Sequence, residues 1–230
     1  MANIQRAILS WYDQNKRDLP WRTSKNPYFI WISEVVLQQT RVEQGAPFYY
    51  RLITAFPTVE ALAHADEQEV LLAWKGLGYY SRARNLHKAA RQIMKEYNGV
   101  FPTQYTELIK LPGIGAYTAA AISSISYNEP VAAVDGNIIR IVSRLLDISD
   151  PVESATTARV IKDYANEILS TDRPGDFNQA LMDLGSLICT PKSPVCTECP
   201  LMEFCMARTS QSQHLRPVKK PKKKAINRYL

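Results

Sequence analysis

Apolar residues recur at helical rather than strand spacing along almost the whole chain. Ile4, Ala7, Ile8 and Trp11 fall on one stripe, predicting an opening amphipathic helix to about Asn15. A polar, Pro-containing stretch over 16–27 interrupts it. Residues 29–39 and 48–55 predict two helices, the first nearly apolar and so buried. Thr58-Val59-Glu60 opens a short helix with Thr58 as its N-cap. Residues 67–75 form another, ended by Gly76-Leu77-Gly78, and 79–97 is long and basic on one face until Asn98-Gly99 stops it. Helices over 105–110 and 117–127 flank Leu111-Pro112-Gly113-Ile114-Gly115. Helices over 136–148, 155–170 and 177–188 complete the set. Period-two alternation never persists, and no repeat of fixed period occurs. The pattern predicts an all-α chain of about ten helices.

Charge changes this picture at one end only. The chain carries 28 Lys and Arg against 22 Asp and Glu, and seven of those cations lie between Arg216 and Leu230, where no acid occurs. Without them, 21 basic residues face 22 acidic ones. The excess therefore belongs to a Lys- and Pro-rich tail, expected to be flexible and able to touch phosphates without reading sequence. An interdomain linker or a solubilising end fits it as well, so the net charge by itself identifies no partner. No stretch approaches the roughly 18 to 20 apolar residues of a membrane helix, and the N-terminus is not a secretory signal. The expectation is an intracellular protein, without a membrane partner.

Two local patterns carry chemistry. Gly113 and Gly115, separated by one apolar residue, permit a tight turn between helices and keep side chains off the backbone. The N–H groups opening the second helix can then face a phosphate. Taken alone, the pattern is weak, and a plain helix–helix turn is the readier reading. Twenty residues past Gly115 stands Asp135, where a new helix should begin, and there it can simply act as a cap. The four cysteines form the second pattern, Cys189-x6-Cys196-x2-Cys199-x5-Cys205. Four thiols within so short a segment can surround one metal centre in a reducing compartment. A structural zinc site is the main competitor, although it usually shows two Cys-x2-Cys hooks and only one occurs here.

The hairpin paired with Asp135 resembles the helix-hairpin-helix DNA glycosylase superfamily, and the cysteine spacing resembles the cluster loop of endonuclease III and MutY proteins. Further segments resemble MutY-type adenine glycosylases: Leu19-Pro20-Trp21-Arg22, Trp31 through Thr40, Gly76 through Leu86, Val134-Asp135-Gly136-Asn137 and Phe177 through Gly185. Together they cover essentially residues 1 to 207. The resemblance implies a four-iron–four-sulfur (4Fe-4S) cluster on Cys189, Cys196, Cys199 and Cys205. It also implies two helical lobes: residues 27–133 with the hairpin, and residues 1–26 plus 134–207 with the cluster loop at 189–205. Residues 208–230 would be the basic flexible tail or linker.

The implied reaction is hydrolysis of the N-glycosidic bond of adenine mispaired with 8-oxoguanine or guanine, in double-stranded DNA, by a monomer in the bacterial cytoplasm. Such a step builds positive charge on the sugar and negative charge on the leaving base, so it needs an acid and a fixed anion. The resemblance assigns the acid to Glu34. Its apolar surroundings predict burial and a raised pKa, which suits a proton donor, while a buried Glu paired to an Arg for structure is the plainer reading. It assigns the anion to Asp135, expected to stay ionised because helix N–H dipoles favour its charge. Asn137 would orient Asp135 or a water. Tyr117 stands where lyase relatives carry a Lys nucleophile, implying base removal without efficient strand cleavage. A tyrosine merely packed on the hairpin is the plainer reading.

The resemblance makes Gln39 and Tyr79 residues that fill the stack when a base is flipped out, and it lines the adenine pocket with Arg22, Leu37 and Gln179. Tyr79 as a core residue stays open, as does Trp21 as core or pocket. MutY proteins usually continue into a second domain for 8-oxoguanine, whereas this chain ends at Leu230, shortly into what looks like the linker. A strong 8-oxoguanine preference is therefore not implied. Three alternatives remain: a thymine–guanine mismatch glycosylase, an endonuclease III-like lyase, and a non-catalytic DNA-binding clamp.

Overall fold

The computed structural model describes residues 1–221. Among them run the helices α1 (Ala2–Asn15), α2 (Pro27–Val36), α3 (Val42–Ala55), α4 (Val59–His64), α5 (Glu67–Ala73) and α6 (Ser81–Tyr97). They continue as α7 (Tyr105–Leu108), α8 (Ala116–Tyr127), α9 (Gly136–Leu145), α10 (Ala155–Ile168), α11 (Pro174–Leu187) and α12 (Met206–Thr209). No strand occurs among the described residues, and none of their helices is long and apolar enough to cross a membrane.

Local chemistry sets the helix ends. Asn26 accepts from the Tyr28 N–H with Pro27 in the first turn, and Thr58 accepts from the Ala61 N–H. Asp66 and Glu69 form a capping box on α5. Asn98 and Asn128 close α6 and α8 in left-handed conformation.

The described chain forms two compact units. The larger holds Gln14–Ala133 and Leu169–Gln179. Its core joins Trp31, Leu62, Trp74, Leu86, Ile93, Phe101 and Leu108, all nearly inaccessible to water. The other unit holds Met1–Asp13, Val134–Ile168 and the described residues from Ala180 on. In it α9 packs against α10 and α12, burying Ile138, Ile141, Val142 and Leu145 at helical spacing.

The division differs from the expected lobes in three places. Residues 14–26 go with the middle of the chain because Leu19 and Trp21 bury in its core, the Trp21 ring meeting Tyr49 edge-on at 5.3 Å. Trp21 is thus a core residue. Residues 169–179 join the same unit. Asn178 accepts from the Ala133 N–H and donates to Ser124 Oγ and Val131 O, and Gly175 lies so close to the Ser124 carbonyl that a Cβ would meet it at 2.7 Å. The first part of the expected flexible tail, 208–220, is tied down instead. Arg216 pairs with Asp147 at 2.8 Å, the Val152 N–H reaches Val218 O, and the Lys220 N–H reaches Glu153. The rest of that tail, 222–230 with Lys222, Lys223, Lys224 and Arg228, lies outside the described residues.

Candidate active site and cluster loop

Asp135 caps α9. Its Oδ1 accepts the Ile138 N–H at 2.8 Å, and its Oδ2 accepts the Asn137 side-chain amide at 2.8 Å. The sequence predicts a carboxyl held ionised by these dipoles, and the structure adds an opposing influence to them. Burial raises the Asp135 pKa above the ordinary value, and the Ile138 N–H, the Asn137 bonds and the Arg140 charge offset it only in part. Desolvation outweighs the helix end here. A carboxylate poorly hydrated but twice hydrogen-bonded is a fixed anion facing little competing water, which suits it to stabilising a developing cation.

Arg140 sets the orientation of Asn137. Its Nη2 donates to Asn137 Oδ1 at 2.8 Å and to Gly185 O at 2.6 Å, its Nε to Cys189 O at 2.7 Å, and its Nη1 to Gly136 O. With its oxygen claimed by a cation, the Asn137 amide can only turn its NH2 toward Asp135. Gly185 makes the approach possible, because a Cβ there would lie 2.5 Å from the Asn137 Cβ. Sequence reading missed both Arg140 and Gly185. The available signal was a pair of arginines four apart inside the apolar run 138–146, which a buried face has to accommodate.

The second of that pair, Arg144, is almost fully buried. It donates to the carbonyls of Thr190, Pro191 and Gln213 and, at 3.2 Å, to Cys189 Sγ. All four cysteines are free thiols lining one cavity with Arg144, Val195, Met202 and Arg208. Burial pushes the Cys199 thiol up to about 12 and raises Cys205 as well. Such thiols ionise only against strong positive charge, and four thiolates around an iron core would return net negative charge to the buried Arg144. The residues present fit an iron–sulfur group. Among the described residues no three metal-binding side chains converge on one ion, whereas a cluster of several irons receives each thiolate at a separate corner.

In the larger unit the hairpin joins α7 to α8. Gly113 has φ +76°, and a Cβ on it would meet the Asn85 Cβ at 2.7 Å. Only glycine fits. Gly115 precedes α8 in extended conformation with open space where a Cβ would go. The first bond of α8 is Ala119 N–H to Gly115 O, so the preceding N–H groups form the donor-rich end that an anion favours. Tyr117 sits half-buried in this first turn.

Glu34 lies on α2 between buried Ser33 and Val35 and is itself half-buried, less enclosed than its apolar surroundings predict. Leu37 ends the helix, and Gln39, exposed, turns the chain with φ +60°. Tyr79 is 68% exposed with φ +47°, directly after Gly78 at +74°. It is therefore not a core residue. Left-handed backbone costs each non-glycine residue about 1–2 kcal/mol, so two such tips have to be held by their surroundings. Arg22 and Gln179 line one open pocket of about 210 Å³ with Lys25, Asn128, Asp172 and Arg173, and neither Glu34 nor Leu37 is part of its wall.

Comparison with known proteins decides the family. Residues 32–169, more than half of the chain, match the model of the HhH-GPD superfamily base excision DNA repair protein. The chain belongs to this superfamily. Residues 189–205 match the iron–sulfur binding domain of endonuclease III, which makes the four cysteines an iron–sulfur loop. The chain is 43% identical over 219 residues to a rat protein named adenine DNA glycosylase, covering 91% of this chain and 42% of the relative. It is 40% identical to the protein of that name from Buchnera aphidicola of Acyrthosiphon pisum, covering 94% of this chain and 62% of the relative. It thus spans about two-fifths to three-fifths of these relatives. Among solved structures, a thermostable thymine-DNA glycosylase superposes with a TM-score of 0.82 at 27% identity, over 90% of this chain and 95% of that one.

Proposed function

We propose that this HhH-GPD protein is an adenine DNA glycosylase that removes adenine mispaired with 8-oxoguanine or guanine and leaves the strand uncut. The observation that carries the reading is the twice-bonded, half-buried carboxylate of Asp135, found in a chain about two-fifths identical to proteins of that name. Asp135 is the fixed anion for the sugar cation, and Glu34 is the proton donor to the departing purine. Asn137 orients Asp135. Arg22 and Gln179, which share a pocket, receive the base, Gln39 and Tyr79 occupy the stack it leaves, and Gly113 and Gly115 open the hairpin to a phosphate. Tyr117, having no amine, forms no Schiff base with the sugar.

The group held by Cys189, Cys196, Cys199 and Cys205 is a 4Fe-4S cluster, which when bound braces a loop of little core and balances Arg144. The reaction itself needs no electron. The protein acts as a monomer on chromosomal DNA.

The deciding experiment is single-turnover excision on duplexes holding adenine opposite 8-oxoguanine, adenine opposite guanine, and thymine opposite guanine, with and without alkali. Breakage of adenine strands that depends on alkali is expected. A second reading, thymine excision opposite guanine, is favoured by the superposition on almost the full length of the thymine-DNA glycosylase. Release of thymine but not adenine would replace the first reading with it.

A further inference from the structure

Two strained tips project from the larger unit, Gln39 at φ +60° and Tyr79 at φ +47°. They belong to different turns, one following α2 and one preceding α6, and one side chain reaches both. Arg82, in the first turn of α6, donates Nη1 to Val35 O at 2.9 Å, Val36 O at 3.3 Å and Gln38 O at 2.8 Å. Its Nη2 reaches Leu77 O at 3.4 Å in the second turn. The guanidinium lies 5.2 Å from the Trp74 ring centre and 5.6 Å from that of Tyr79, and Trp74 Nε1 holds Gly78 O at 2.9 Å. The carbonyls at the end of α2 have no acceptor role within the helix, so a planar cation with several donors is their natural cap. The same plane can stack on aromatic faces.

We infer that Arg82 is a positioning residue for base extrusion: it pins the Gln38–Gln39 turn and the Leu77–Tyr79 turn to one guanidinium, so both tips meet the duplex as one preset wedge. The inference rests on reading Gln39 and Tyr79 as the inserted residues. Extrusion stays efficient because the left-handed backbones are fixed before DNA arrives and need not be ordered on binding. Lysine keeps the charge at position 82 but has no planar fork to serve two turns and two rings together.

The test uses Arg82→Lys, Tyr79→Leu and the double variant, each confirmed folded by thermal melting, on duplexes with 2-aminopurine at the target position. Arg82→Lys should lower both the extrusion fluorescence and the single-turnover rate by roughly ten- to a hundredfold, the scale of a misplaced insertion. Affinity for undamaged duplex should stay within about twofold, since phosphate contacts set it. The double variant should be no worse than the poorer single variant. Hydrogen exchange should quicken together in peptides covering 36–41 and 76–80. Unchanged extrusion, or losses that multiply in the double variant, overturns the inference. Should Arg82→Lys fail to fold, Tyr79→Leu alters an exposed side chain and still decides the matter. Faster exchange at 36–41 supports the pin, and unchanged exchange there overturns it. A wild type that neither excises nor extrudes sinks the functional reading, whereas an active wild type with an indifferent Arg82→Lys sinks only the role of Arg82.

Discussion

The side-chain amide of Asn137 lies 2.8 Å from Asp135 Oδ2 and cannot flip away, because Arg140 holds its oxygen. Replacing Asn137 by Ala removes one of the bonds that lower the Asp135 pKa and leaves burial less opposed. The acid limb of the single-turnover pH profile should already lie above the ordinary aspartate value of about 3.9, and Asn137→Ala should move it higher still. A limb that stays put would detach Asn137 from Asp135.

Asp135→Asn and Glu34→Gln should each lower excision by roughly a hundredfold or more while leaving duplex binding nearly intact. Stability gives a second readout. The folded-state pKa of Asp135 is raised, so its contribution to stability is fully present below the unfolded pKa and is lost as pH rises through the folded value. The melting temperature of Asp135→Asn relative to wild type should therefore increase from pH 4 to pH 7. A constant difference would mean the carboxyl is well hydrated.

The two hairpin glycines should separate cleanly. Gly113→Ala combines a left-handed backbone with a 2.7 Å collision and should cost about 2–4 kcal/mol in urea unfolding. Gly115→Ala meets open space and should melt like wild type. Any loss of duplex affinity in Gly115→Ala then measures crowding of the phosphate approach. Equal melting of the two variants would refute this division.

Iron and sulfide analysis of the purified protein should give about four of each per chain. Cys199→Ser should lose both and melt at lower temperature, because the loop over 189–205 then loses the group that cross-links its four thiols. One equivalent of zinc, with no sulfide, would replace the cluster with a mononuclear site.

Tyr117→Lys restores an amine in the first turn of α8. Borohydride should trap this variant on an abasic strand and leave the wild type free. Trapping of the wild type would identify another amine as nucleophile.

Much of this was legible in the chain because its signals are local. Thr58, Asn98 and Gly113 mark backbone geometry through their own side chains or the lack of one, and the structure uses each in that way. The helix predicted over 48–55 starts instead at Val42, with Pro47 inside it. The pattern carries the next helix back to Tyr79, whereas α6 starts at Ser81 because the Tyr79 backbone is left-handed. Less accessible were properties created by distant segments. The raised pKa of Asp135 depends on what encloses it, and the role of Arg140 depends on carbonyls of Gly185 and Cys189 more than forty residues away.

Gly185 carries a consequence for anyone engineering the chain. A helix interior normally gains about 1 kcal/mol when alanine replaces glycine, so α11 invites that change at Gly185 as a routine thermostabiliser. The added methyl would sit inside the van der Waals envelope of Asn137. The collision costs stability as well as turnover, so the carbon missing at Gly185 cannot be added back for heat tolerance.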